Sequence, residues 1–464
     1  MHEFVLALLF LSDLASYRQG ASLVDAAIVA RGKELAPVAF RMDATVLQLH
    51  QSPRPSAPFL ETRLEQTIAA DPAARAFVIE ETSTWPNFTA RTTVRISGQE
   101  LTTIRHGSGT HSVSSDGTDA TVARIARRHP DLLLEAAGRQ RASLRRAGAD
   151  KVHVVLDDGS VTTVTFRAAR LVTAEWIEYH DVFGDVAHRI DYQWSGGEPI
   201  GFRQFENERL AMTGRYDDTK RGDTVAIPQI AVPVASKLAS TPSAEPPRIE
   251  ELAPGVFLVR NAGGPDYHSL VVRFRDRLVV VEAPRSPQRA RTAIAAIKGW
   301  DAQRPIEEVA VTHHHDDHLG GIRGYAEAGA RIVTTEGNVS LIEALLGAPH
   351  TIRPAARVAA QVIGIRSARK IADDTNELIF LNPGPNDHVS ESLIAWLPRQ
   401  QIVFQGDLFR YDPGRPEAAR QSAVAFADFI ARQNLPVKTI VGVHGEPASM
   451  DDLRQAIAMR DASR

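Results

Sequence analysis

The sequence predicts an α/β protein, two mixed sheets sandwiched by helices, preceded by a mainly antiparallel β domain. Three observations carry that prediction. The second half opens on three apolar strand-like runs and then alternates strands with helices. The first half is dominated by β-branched runs separated by turn residues. Between them, Pro233 to Arg248 (PVASKLASTPSAEPPR) is rich in Pro, Ser and Ala and poor in large apolar side chains, the composition of a linker. The expected division is therefore 1–232, a linker at 233–248, and 249–464.

In the first part, Val152–Leu156 and Val161–Phe166 flank Asp157-Asp158-Gly159-Ser160, a hairpin signal. Further strands are expected at 45–51, 77–82, 92–96, 171–179 and 187–194, and helices near 22–32 and 120–144. The second of these helical stretches is rich in arginine, which reads as a solvated face. In the second part, 255–260, 269–274 and 278–282 read as a meander, followed by a helix over 286–300. Later strands are expected at 309–312, 330–334, 377–381, 393–397, 402–405 and 437–441. Helices are expected from about 322, over 416–433 and over 449–459. Ser449 is placed to cap the last one, with Asp451 and Asp452 in its first turn.

Composition narrows the chemistry. Of 464 residues, 43% are hydrophobic, ordinary for a globular protein. With 53 basic and 56 acidic residues the net charge is −3, which argues against a general nucleic-acid binder while leaving room for local basic patches; the partner expected is a small-molecule substrate. There is no cysteine, so thiolate catalysis, Cys-ligated metals and disulfides are excluded. No apolar run approaches the ~18 residues of a membrane span, and stable membrane insertion is not expected. Residues 4–11 are apolar and about as long as a signal core, with Ala15-Ser16 at a suitable distance for cleavage. Yet no Lys or Arg precedes them and Glu3 has the wrong sign. A first helix of the domain and an atypical export signal stay open, and with them a cytoplasmic or an exported location.

The run His313-His314-His315-Asp316-Asp317-His318 is the most informative stretch. It follows the apolar Val309-Ala310-Val311 and precedes Leu319-Gly320-Gly321, so it reads as a buried strand ending in a ligand loop. His313, His315, Asp317 and His318 are too many ligands for one tetrahedral site with an open position. Divided between two metals about 3.5–4 Å apart, they suit a site that activates water. His388 lies in the turn-rich Gly384-Pro385-Asn386-Asp387. Asp407 and His444 each follow an apolar strand. His314 reads as a spacer. His268, after the first meander strand, is a candidate to face the metals or a substrate. His106, His111, His129, His153, His180 and His188 read as ordinary satisfied polar groups.

These motifs resemble those of the metallo-β-lactamase fold superfamily, over about residues 249–464. The stretch HVSESLIAWLPRQQIVFQGD, from His388 through Asp407, is especially similar. The resemblance implies an αββα sandwich and a dinuclear hydrolase with two divalent metal ions, Zn2+ foremost. It implies that His313, His315 and His388 hold one metal, that Asp317, His318 and His444 hold the other, and that Asp407 bridges them. Asp317 would also orient the bridging hydroxide. Glu282 matches the position of a carboxylate that orients a ligand histidine. Arg410 matches that of a lysine that grips the substrate carboxylate in many β-lactamases; the other reading is a plain surface arginine. Two departures matter. Class B β-lactamases carry Cys where this chain has Asp407, which points away from β-lactams. His315 stands where the oxygen-reducing di-iron branch has Glu, which favours hydrolysis of an ester, lactone, thioester or amide. Competing readings are a phosphodiesterase or sulfatase of the same fold, and an envelope protein that binds a lipid or acyl ligand, with the metal domain as accessory.

Overall fold

A computed structural model of the chain describes residues 2–32, 35, 37–222, 225–231, 237–238, 245–355 and 358–462, with side chains from residue 13 onward except at 237–238. Most of the expected linker lies outside these residues. The chain forms two compact units. The first comprises Met1–Gln48, Glu61–Glu178 and Val186–Thr241, and the second Leu49–Leu60, Tyr179–Asp185 and Pro242–Arg464. Two short segments of the N-terminal half thus belong to the second unit.

The first unit is built on one 14-stranded sheet. Two runs of consecutive strands meet where Val38–Leu47 pairs antiparallel with both Glu61–Asp71 and Arg209–Arg221. Val38, Phe40, Met42 and Ala44 are buried in alternation, so one face of the sheet carries the core. Against it pack His2–Ala30, Thr118–Arg128 and Pro130–Arg139, through Val24, Val122, Ile125 and Leu132 among others. The single helical stretch expected over 120–144 is divided at Pro130, whose missing N–H suits a first helical turn but not a helix interior. His129 marks the break and its ring accepts the Asp131 N–H. Arg127 is not on a solvated face. It is 5% exposed, donates to Thr162 and lies 4.7 Å from the Trp176 ring centroid. Among the described residues, no helix is long and apolar enough to cross a membrane.

The second unit has four layers. Its first sheet orders the strands Arg248–Ala253, Val256–Gly264, Tyr267–Arg273, Leu278–Val281, Ile306–Ala310, Arg331–Thr335 and Val362–Ile365. The meander is antiparallel, and from Leu278–Val281 onward the pairing is parallel. The second sheet orders Ala368–Ala372, Glu377–Leu381, Ile394–Leu397, Ile402–Gln405, Thr439–Gly442 and Ala448–Ser449. Ile402–Gln405 and Thr439–Gly442 are parallel neighbours.

Alternation along these strands assigns the layers. Val256, Leu258, Val272 and Val281 meet Leu378, Phe380, Ala395 and Phe404 between the sheets. Phe257, Val259, Val271 and Val280 turn outward to Pro287–Trp300, Ile322–Glu327 and Val339–Leu346. On the far side, Trp396, Val403 and Ile440 pack on Gln421–Arg432 and Met450–Ala462. Strands covered on both faces explain the continuous apolar runs in the sequence. Ser449 caps the last helix as expected, accepting the Asp452 N–H while Asp452 accepts the Ser449 N–H. The helix expected from 416 begins only at Gln421.

Candidate metal centre

The candidate ligands lie where apolar strands end. Leu278–Val281 runs into Glu282 and Ile306–Ala310 into the histidine loop. Ile402–Gln405 runs into Gly406-Asp407, and Thr439–Gly442 into Val443-His444. Parallel neighbours end on the same rim, so their exit loops converge. The apolar residues before each loop are buried, which fixes where the polar ones emerge.

Three overlapping groups form, each with its ligand atoms within 4.8 Å of one another: His313, His315 and His388; His313, His318 and Asp407; Asp317, His318 and His444. His313 Nε2 is 3.1 Å from His315 Nδ1 and 3.3 Å from His388 Nε2. Asp407 sits between the sets. Its Oδ2 is 3.4 Å from His388 Nε2, and its Oδ1 is 3.2 Å from His318 Nε2 and 3.4 Å from His444 Nε2. Asp317 Oδ2 is 3.6 Å from His318 Nε2. Gly406 is required beside Asp407, because a Cβ there would lie 2.5 Å from Thr312 Oγ1 and 3.0 Å from His313 Nδ1.

The opposite ring nitrogens are held from outside. Thr312 Oγ1 donates to Glu282 Oε2 at 2.6 Å and lies 3.1 Å from His313 Nδ1. With its proton given to Glu282, that hydroxyl accepts from His313 Nδ1–H, leaving His313 Nε2 with its lone pair toward the centre. The same Glu282 oxygen is 3.5 Å from His318 Nδ1. The Ser52 carbonyl faces His315 Nε2 at 3.0 Å and His314 Nε2 at 2.8 Å, so His315 turns Nδ1 inward and His314 serves as a spacer. His444 Nδ1 donates to the Asp266 carbonyl at 2.6 Å. Imidazoles with one nitrogen anchored to an oxygen and the other aimed inward are oriented to bind a metal. Glu282 itself is fully buried with a φ of 88°, a strained conformation for a residue with a Cβ.

For His313 and His315, electrostatics agree with that orientation. Burial, and then the neighbouring imidazoles, push His313 well below its usual pKa, and burial chiefly brings His315 down to about 3. Both are neutral at physiological pH, as metal donors must be. Burial would also lower His318, but Asp407, Glu282 and Asp317 outweigh it and raise it well above normal. Burial would raise Asp407, yet His318, His388 and His313 hold it well below the carboxylate range. His318 Nε2 and Asp407 Oδ1 are buried without a hydrogen-bond partner. Such atoms are costly unless something else satisfies them, and these nitrogen and oxygen donors fit a pair of divalent cations.

Two of the expected residues stand apart from these groups. His268 is buried, and its Nδ1 accepts the Asn261 N–H at 3.2 Å. Arg410 lines a cleft with Asp407 and His444, but its guanidinium is 63% exposed and pairs with Asp266 at 3.0 Å. Sequence reasoning missed the residues that hold the candidate ligands. Thr312 precedes the histidine run, where its residue type signals only the end of a strand. Asp266 and Ser52 act through backbone carbonyls, which have no sequence signature. Tyr267 donates to Asp317 Oδ2 at 3.1 Å and Gln51 to Asp317 Oδ1 at 3.0 Å, the latter from a segment more than 260 positions away.

No family model and no curated protein matches the chain. Among solved structures, a metallo-β-lactamase from Pontibacter korlensis is similar at 20% identity, covering 46% of this chain and 99% of its own, with a TM-score of 0.36. The metallo-β-lactamase FIM-1 from Pseudomonas aeruginosa, in a mono-zinc form, is similar at 18% identity over 48% of this chain and 99% of its own, with a TM-score of 0.37. The DIM-1 metallo-β-lactamase exposed to ceftazidime gives the same figures. Two mixed sheets packed face to face, helices outside both and the histidine loop on the rim of parallel strands make residues from about 249 to 464 an αββα sandwich, metallo-β-lactamase-like in fold class.

Proposed function

We propose that the chain is a hydrolase that works with two divalent metal ions, zinc in preference, on an ester, lactone, thioester or amide bond. The observation that carries this reading is the position of Asp407, one oxygen toward His388 and the other toward His318 and His444. His313, His315 and His388 would hold one metal, Asp317, His318 and His444 the other, and Asp407 both. When bound, such a pair supplies Lewis acidity and lowers the pKa of water from 15.7 to about 7.

The remaining work falls to the chain. Asp317 orients the attacking water and takes its proton at a carboxylate oxygen. Tyr267 O–H and the Gln51 amide both donate to that carboxylate, fixing its plane. Glu282 keeps the His318 ring aligned directly and the His313 ring through Thr312. Asp407 in place of a thiolate makes the donor set all nitrogen and oxygen, and favours substrates other than β-lactams.

The test is elemental analysis of purified protein together with a panel of lactones, thioesters, β-lactams and phosphodiesters. Two metals per chain are expected, and Asp317→Ala should cost about 10²–10⁴-fold in turnover. Failure to take up any transition metal, or undiminished hydrolysis by Asp317→Ala at equal metal content, would overturn the reading.

A further inference from the structure

A cleft of about 470 Å³ opens in the second unit against Asp317, away from Arg410, and Arg285, Ser286, Arg289 and Arg353 line it. We infer that this cleft is an anion subsite, and that the substrate carries a carboxylate or phosphoryl group beyond the bond that is cleaved. The inference rests on the proposed hydrolytic function and names its substrate class.

Position is the first argument. Arg285 follows Glu282 by three residues, and its backbone N–H donates to the Asp317 carbonyl at 2.9 Å. Its φ is 74°, so the chain is held in an unfavourable conformation where it passes the candidate ligands. The Arg285 guanidinium lies 5.0 Å from the centroid of the Tyr267 ring, whose hydroxyl donates to Asp317. A group bound by Arg285 is therefore registered against the residue proposed to handle the proton. Ser286 caps the helix Pro287–Trp300, which brings the positive end of a 14-residue helix to the same cleft.

Charge is the second argument. Arg410 has its charge met by Asp266 at 3.0 Å. Among the described residues, neither Arg285 nor Arg289 has a carboxylate within ion-pair distance. Arg353 has only Asp181, at 3.9 Å, and its guanidinium lies 4.9 Å from the Tyr179 ring centroid. Asp316 and Asp317 share the cleft but are engaged by the neutral Gln51 amide instead. Three guanidiniums, two from the start of one helix and one from a distant loop, face one space of small-molecule size; Asp181, Asp316 and Asp317 also line it, but none lies within ion-pair distance of Arg285 or Arg289. A planar, bidentate donor of this kind suits carboxylate or phosphate oxygens.

The experiment uses the full-length, metal-loaded protein and three aryl esters whose acyl chains end in a methyl, a carboxylate or a phosphonate. Wild-type protein should favour one of the anionic esters over the methyl ester by about tenfold or more in kcat/KM. Which anion wins identifies the group. Arg289→Ala and Arg353→Ala should each remove most of that preference through KM, with the methyl ester changed less than about twofold and Arg289→Lys recovering part of it. In parallel, binding of inorganic phosphate to chelator-treated protein, measured by calorimetry, should weaken in Arg289→Ala. No preference for an anionic ester in wild type, or equal losses on all three esters, overturns the subsite. Loss of all hydrolysis with phosphate binding still sensitive to Arg289 would instead refute the hydrolytic reading and leave the anion site standing.

Discussion

Thr312→Val isolates the support beneath the candidate metal centre without altering any candidate ligand. Thr312 is 1% exposed, and its hydroxyl joins the carboxylate of Glu282, itself fully buried, to the ring of His313. Valine keeps the volume and removes both links. A hydrogen bond to a charged group contributes about 1.5–3 kcal/mol and one to a neutral group about 0.5–1.5, so the second unit should lose roughly 2–4 kcal/mol. At about 2–4 °C per kcal/mol for a unit of this size, its thermal transition should fall by roughly 5–15 °C. With His313 free to rotate, metal affinity should drop by about 10–100-fold in competition with a chromophoric chelator. The control is a double-mutant cycle with Glu282→Gln. If Thr312 acts through Glu282, the two losses are strongly non-additive. Unchanged metal affinity, or additive losses, would refute the assignment of Thr312 and Glu282 as the support for His313.

Two further predictions follow the same logic. Tyr267→Phe deletes the O–H that donates to Asp317 and should lower kcat by about tenfold with little change in KM; an unchanged kcat would show that the tyrosine does not position Asp317. In the first unit, Asp131 is buried between Arg31 at 2.8 Å and Arg221 at 2.6 Å. Burial alone would raise its pKa, but Arg31, His129 and Arg221 hold it below the usual value. A depressed folded-state pKa contributes stability that is fully present above the unfolded value of about 3.9 and is lost as pH falls through the folded value. Asp131→Asn should therefore cost about 3–5 kcal/mol at neutral pH, and the gap from wild type should narrow in urea titrations below about pH 4; a gap independent of pH would contradict this.

Much of the second unit is legible in the sequence because its signals are local. Runs such as Leu278–Val281 and Ile402–Gln405 are buried on both faces and read as strands with nothing else known. The Ser449 cap is likewise a four-residue pattern. Short or polar elements gave no such signal. Ala368–Ala372 (ARKIA) buries only Ile371, and Arg248–Ala253 is an edge strand half open to solvent, so their pairing depends on neighbours distant in the chain. In the first unit, Arg209–Arg221 is highly charged, and only its pairing with Val38–Leu47 and Glu198–Glu206 makes it a strand. The arginine-rich helices misled for a related reason. Charge suggests exposure, whereas Arg127 is buried against Trp176 and Thr162.

Residue types and their order already point to the kind of chemistry: imidazoles and carboxylates after apolar strands, no thiol, and a layered α/β fold around them. Those features are set by residue type and by spacings of a few positions, over which the backbone leaves little choice. How each candidate ligand is held, and what surrounds it, depends on packing between distant segments. The Ser52 carbonyl behind His315, the Asp266 carbonyl behind His444, the Gln51 amide on Asp317 and the arginines beside it are brought together across tens to hundreds of residues. A backbone carbonyl is the same group at every position, so only packing can determine which one a ring nitrogen meets.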